Sequence, residues 1–254
     1  MRSRNSLRIG ILLASGILVL IAGSLITATT QEKPSYKTTG TEATIVGTIS
    51  FDGTPPKSLR IDTSADPVCE TTNPDQTTDW VVVSDHKLAN VVVYVRGESL
   101  NLYSFETPSA GVTLEHKGCR YVPHVLGLQT QQTLWVLNSD ATTHNTHPTP
   151  KNNREWNYSQ PSGAAAITQR FEWPELFIPF KDNQHPWEKA YVGVFSHPFF
   201  SVSATDGTYK ISGVPPGQYT IVAWHERFGE QTGDVFLAGS EQKTLDFTFK
   251  ASDH

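Results

Sequence analysis

The segment Lys181-Asp182-Asn183-Gln184-His185-Pro186-Trp187-Glu188 carries Asp182, His185 and Glu188, and earlier in the chain His144-Asn145-Thr146-His147 offers further imidazoles. Imidazole nitrogen and carboxylate oxygen are both ligands for Zn²⁺ and Cu²⁺, and histidines brought together from distant segments hold a metal that one histidine rarely holds well. Sulfur is scarce: the only methionine is Met1 and the only cysteines are Cys69 and Cys119. No local residue supplies a thiolate to the 181–188 segment, so a metal set built there consists of nitrogen and oxygen.

The 254 residues suffice for one large or two small domains. Charged residues make up 18% of the chain, the formal net charge is −5, and Lys and Arg form no basic stripe, which argues against nucleic acid as a partner. At the N-terminus Arg2, Arg4 and Arg8 precede an apolar run from Ile9 to Ile26, the layout of an export signal, with a length that also suits a single-span anchor. Residues 1–28 are read as signal peptide or membrane anchor and 29–42 as a flexible linker. The remainder is expected to be periplasmic or extracellular, touching a membrane only through its N-terminal segment. An oxidising compartment favours a disulfide, and with two cysteines Cys69–Cys119 is the one intramolecular pairing; two separate buried thiols are the alternative.

From Ala43 onward, β-branched and aromatic residues recur in short runs bounded by Gly, Pro, Asn and Asp, for example 43–51, 91–96, 112–115, 133–137, 191–195 and 217–225. That spacing predicts an all-β sandwich architecture. No stretch after Ala43 sustains a helical apolar period for three turns, and sixteen prolines would break most candidates, so helix is expected to be minor.

Two resemblances follow from longer motifs. Gly47-Thr48-Ile49-Ser50-Phe51-Asp52-Gly53 and the later Asp206-Gly207-Thr208-Tyr209-Lys210-Ile211-Ser212-Gly213-Val214-Pro215-Pro216-Gly217-Gln218-Tyr219 resemble the carboxypeptidase-regulatory, or transthyretin-like, sandwich. That likeness implies a hairpin at Asp206-Gly207, a rigid turn at Pro215-Pro216-Gly217 delivering Tyr219 and Ile221 inward, and a closing hairpin from Asp234 to Phe249. Between these ends, Leu134-Trp135-Val136-Leu137-Asn138-Ser139-Asp140 followed by His144-Asn145, and then the 181–188 loop leading into Tyr191–Phe195, resemble a Greek-key cupredoxin. The implied organisation is a discontinuous transthyretin-like module, 43–109 with 201–250, and a cupredoxin-like domain over 110–200.

The second resemblance also implies a site. His144 and His185 would face one another, with Asp182 where a cupredoxin has its cysteine and Glu188 where it has its methionine. Such an N2O2 set disfavours Cu⁺ and lacks the Cu–S bond of a blue electron carrier. A non-blue copper site, a zinc site, or a metal-free relic in which Asp182 caps the loop and His185 packs beneath Trp187 remain open. His147 and His124 are candidate additional ligands, the plainer reading of each being a partly buried histidine bonded to a backbone carbonyl. His197 is expected to pack, and His225 to contact Glu226. No nucleophile with an oxyanion arrangement accompanies that pair, so the reading is non-enzymatic. The rival reading is a metal-free module at the cell envelope that binds a protein or a carbohydrate through Trp156, Trp173 and Trp187.

Overall fold

The computed structural model describes residues 32–251. The expected N-terminal signal or anchor, and the hydrophobic helix expected with it, lie outside the described residues, as does the start of the linker. Among the described residues no helix is long and apolar enough to cross a membrane. The linker's described part is held in place rather than free: Tyr36 N donates to Ser104 O at 2.8 Å, and the Tyr36 ring packs on Tyr103 and Phe105.

The protein is all-β. Among the described residues the only helical elements are the α-helix Pro67–Thr72 and the 3₁₀ turn Glu98–Leu102. Four sheets make two sandwiches. In the first, Ala43–Asp52 is the central strand of a sheet with Thr208–Val214, Gln242–Thr244, Phe247–Lys250, Lys87–Leu88 and Val83–Ser84. The facing sheet runs Phe200–Val202, Val92–Arg96, Gly217–His225, Gly229–Leu237. Ile45, Ile49, Val93, Val95, Tyr219, Ile221 and Phe249 fill the core between them.

In the second sandwich, one sheet runs Tyr158–Gln160, His144–Pro148, Glu175–Lys181, Lys189–Phe195, Val125–Gln129. The other runs Ile167–Gln169, Leu134–Asn138, Val112–His116, Tyr121–Val122. Leu114, Leu128, Val136, Ile178, Phe180 and Val192 are packed between these sheets.

Val92–Arg96 is buried on both faces, and its alternation shows why the sandwiches adhere. Val93 and Val95 point into the first core, while Val92 and Tyr94 join Val125, Phe195 and Val222 in a third apolar cluster. Two glycines allow the close approach there. A Cβ on Gly127 would sit 2.6 Å from the Phe200 ring, and one on Gly193 would sit 2.8 Å from that of Phe195.

Two local expectations from the transthyretin-like motif fail. Asp206-Gly207 does not close a hairpin: the strand before it pairs with Val92–Arg96 and the strand after it with Ala43–Asp52, so the turn carries the chain between sheets. Residues 242–250 likewise leave Gly229–Leu237 and run parallel to Ala43–Asp52. In both places the apolar faces are buried by switching sheets at a corner, which local turn chemistry does not report. Pro215-Pro216-Gly217 behaves as read, with Tyr219 and Ile221 3% and 0% exposed.

Candidate metal centre

His144 opens the strand His144–Pro148, which is held between Tyr158–Gln160 and Glu175–Lys181. The 182–188 loop joins the neighbouring pair, with Lys181 opposite Lys189. Asp182 shapes this loop through Oδ1, which accepts the N–H groups of Gln184 and His185 at 2.7 and 2.9 Å. Its other oxygen, Oδ2, accepts the Asn145 N–H at 2.9 Å and faces His144 Nδ1 at 3.0 Å and His185 Nδ1 at 3.2 Å. Loop capping and a position facing both imidazoles, alternatives in the sequence, thus coexist on one carboxylate. His185 also lies against Trp187, ring centroids 5.1 Å apart.

Glu188 completes the set. Its Oε1 is 3.1 Å from His144 Nδ1 and 3.7 Å from His185 Nδ1, so the two carboxylates expected at the site each face both expected imidazoles. That oxygen is buried and accepts no hydrogen bond, because the His144 Nδ1–H is directed at Asp182. A buried carboxylate oxygen without a donor is costly.

The outer nitrogens of both imidazoles are held by carboxylates. His144 Nε2 faces Asp140 Oδ2 at 3.0 Å, and His185 Nε2 faces Asp66 Oδ2 at 3.1 Å. Each carboxylate is anchored in turn. Asp140 accepts the Gly118 and Cys119 N–H groups at 2.7 and 2.8 Å, while Asp66 caps the helix Pro67–Thr72 by accepting from Val68 and Cys69. A disulfide joins Cys69 to Cys119, so one covalent bond ties the two anchoring turns together.

A third histidine belongs to the cluster. His116 stacks on His144 with ring centroids 4.4 Å apart and planes 11° apart; its Nδ1 meets Glu188 Oε2 at 2.8 Å and its Nε2 meets Thr146 Oγ1 at 2.9 Å. Sequence reasoning missed it by ending a strand at Glu115, one residue early. Strand alternation was the available signal, since Leu114 and His116 share the inward face and both are fully buried. Asp140 stood in a quoted motif without a role. Asp66 carried no signal beyond its Asp-Pro helix start, because it arrives from a loop of the first sandwich.

Charge and burial set the protonation. Burial alone would lower the His144 pKa, but hydrogen bonds to Asp140 and Asp182 and the negative charge of Glu188 beside it outweigh burial and push it up to about 11. His185 is raised in the same way, burial being overcome by Asp182 and Asp66. Burial acts to raise the Asp182 carboxyl, yet bonds from His144, His185 and backbone amides hold it well below the usual carboxylate range. Asp66 is held down to about 2 against burial by Thr142, His185 and the helix amides.

The remaining candidates lie elsewhere. His147 bonds to Glu155 Oε1 at 2.7 Å on the outside of its strand, because alternation turns it away from His144. His124 pairs with Glu226, 3.8 Å from Asp79. Glu226 is therefore not the partner of His225, whose Nδ1 accepts the Arg227 N–H at 3.1 Å and whose ring stacks on Phe228. His197 accepts the Phe199 N–H at 3.2 Å and stacks on that ring.

No protein-family model and no curated protein matches this sequence. Among solved structures, it is similar to a purple cupredoxin from Nitrosopumilus maritimus, at 18% identity and TM-score 0.28 over 33% of this chain and 98% of that one. Amicyanin from Paracoccus versutus matches at 15% identity and TM-score 0.30, over 35% of this chain and 85% of that one. A copper-containing nitrite reductase from Thermus scotoductus matches at 16% identity and TM-score 0.31, over 34% of this chain but only 22% of its own. These likenesses are partial, and the reading of the centre rests on its own residues and distances.

Proposed function

We propose that this chain is an exported, cupredoxin-like envelope protein that holds a divalent ion, Cu²⁺ or Zn²⁺, through His144 Nδ1, His185 Nδ1, Asp182 Oδ2 and Glu188 Oε1. The observation that carries this reading is the buried, bond-free Glu188 Oε1 lying 3.1 and 3.7 Å from two imidazole nitrogens. Ligands at about 2.0–2.1 Å from a tetrahedral ion stand roughly 3.3 Å apart, and the four nitrogen-to-oxygen separations here run from 3.0 to 3.7 Å. The outer nitrogens add support. Imidazoles that ligate a metal through one nitrogen commonly donate the other N–H to a carboxylate, the part played here by Asp140 and Asp66.

A bound ion would supply positive charge where the carboxylates converge; the residues fix its position and exclude water. With oxygen in place of thiolate, fast blue-copper electron transfer is not the role, and an accessory or metal-holding role at the envelope fits the donor set. The transthyretin-like ends would then serve as the module that carries this centre.

Metal analysis after dialysis against Cu²⁺ or Zn²⁺ tests the reading. One ion per chain is expected, colourless with Zn²⁺ and without an intense thiolate-to-copper absorption with Cu²⁺. An unchanged metal content in His185→Ala would sink the assignment.

A metal-free carbohydrate-binding role has one observation in its favour: an open groove of about 320 Å³ lined by Trp156, Tyr158, Trp173, Arg154 and Arg170. Trp173 is 60% exposed there, the kind of face on which a sugar ring stacks. Quenching of tryptophan fluorescence by soluble oligosaccharides, lost in Trp173→Ala, would favour that reading.

A further inference from the structure

We propose that Asp66 is a positioning residue for His185 and that its segment, tied down by Cys69–Cys119, is the closure through which an ion must pass to reach the centre. This inference rests on the metal reading above. His116, His144, Asp182, His185 and Glu188 are each between 0% and 3% exposed, so the convergent atoms have no direct path to solvent. The His185 side is flanked by Trp187, ring centroids 5.1 Å apart, and by the helix Pro67–Thr72, part of the connection between strands of the first sandwich, whose cap Asp66 and whose Cys69 have side-chain atoms within 4.8 Å of the imidazole.

Polar contacts attach that segment to the second sandwich, among them Arg120, which donates to Thr77 O at 2.5 Å and pairs with Asp79 at 2.9 Å. Asp66 Oδ2 bonds to Thr142 Oγ1 at 2.6 Å and to His185 Nε2 at 3.1 Å. Asn73 Nδ2 donates to Gly118 O at 3.2 Å, and Gln76 Nε2 donates to Cys119 O at 2.9 Å. Within the helix only Cys69 is buried, so apolar packing contributes little and the disulfide is the principal anchor. The anchor point is itself at the centre, since the Cys119 N–H is held by Asp140, the carboxylate behind His144. One bond therefore governs both the cover and the orientation of the two imidazoles.

Two roles separate cleanly. The disulfide controls how often the segment lifts, hence the rate of exchange. Asp66 accepts the His185 N–H that turns Nδ1 inward, hence affinity.

Zinc-loaded full chain, challenged with excess EDTA, tests both roles. Compared with the wild type, Cys69→Ala/Cys119→Ala should release zinc at least about tenfold faster while still binding one ion per chain. Asp66→Asn keeps a capping oxygen for the helix amides but removes the carboxylate at His185. It should keep the wild-type circular dichroism and lose about 10–100-fold in zinc affinity. Equal release rates in the disulfide variant, or in wild-type protein reduced with dithiothreitol, overturn the closure alone. Unchanged affinity in Asp66→Asn overturns the positioning role. Zinc uptake by none of the proteins overturns the metal reading and this proposal with it.

Discussion

The two sandwiches have the same construction and opposite interiors. Between the sheets of the first, the buried cluster is made of aliphatic and aromatic side chains, from Ile45 and Ile49 to Ile221 and Phe249. The second has such a cluster too, but one end of it is filled by His116, His144, Asp182, His185 and Glu188, none more than 3% exposed. Burying apolar surface stabilises both. Burying charge stabilises neither without exacting mutual pairing, which the second interior has in its His–carboxylate contacts and the first does not need.

The largest expected effect that tests this contrast is at His144. Replacing it with Ala leaves Asp140, Asp182 and Glu188 buried without their shared cation. We expect loss of metal uptake and about 3–5 kcal/mol of stability, read by metal analysis and urea denaturation.

Next comes pH, through histidines outside the centre. Burial lowers His197 and His225 to about 4, in His225 with help from the positive charges of His124 and Arg227. The unfolded chain titrates near pH 6.5 and so binds more protons than the fold between about 6.5 and 4. Stability from these residues is therefore present above pH 6.5 and declines as pH falls through that window, by up to about 3 kcal/mol each. His197→Asn retains an acceptor for the Phe199 N–H without titrating; urea midpoints at pH 7.5 and 5 should lie closer together in this variant than in wild type. An identical gap would show that His197 is not responsible.

A smaller effect sharpens the comparison from the apolar side. Ile221→Val should cost about 0.5–1.5 kcal/mol and leave metal content at one per folded chain. A change in metal content would mean that the two interiors are coupled. Smallest of all, His147→Ala on the solvent side of the His144 strand should alter stability by no more than about 0.5 kcal/mol and spare metal binding. Loss of the ion there would place the site on the wrong face.

Much of this molecule is legible in its residues, and the failures have physical causes. Val92–Arg96 and Gly217–His225 declare themselves as strands because β-branched and aromatic runs end at turn residues. His144, Asp182, His185 and Glu188 were reached through the resemblance to a cupredoxin, and the fold puts each of the two carboxylates against both imidazoles. Asp66 was invisible, since it comes from the other sandwich and acts only through a helix cap placed by the disulfide. His147 and His124 were misleading for the opposite reason. Proximity in sequence suggested the site, whereas strand alternation and an alternative carboxylate, Glu226, took them elsewhere.

By itself the sequence determined the all-β class, the single possible cysteine pairing, and that any metal set built on the 181–188 loop would lack sulfur, because those follow from residue types, their period and the count of sulfurs. Tertiary structure alone decided that two carboxylate oxygens each lie within 3.7 Å of both imidazole nitrogens. It also brought His116 into the stack and set the cap of a disulfide-tied helix against His185. Those outcomes depend on which sheet faces which and on how loops from distant segments cross, and no local pattern of residues encodes that.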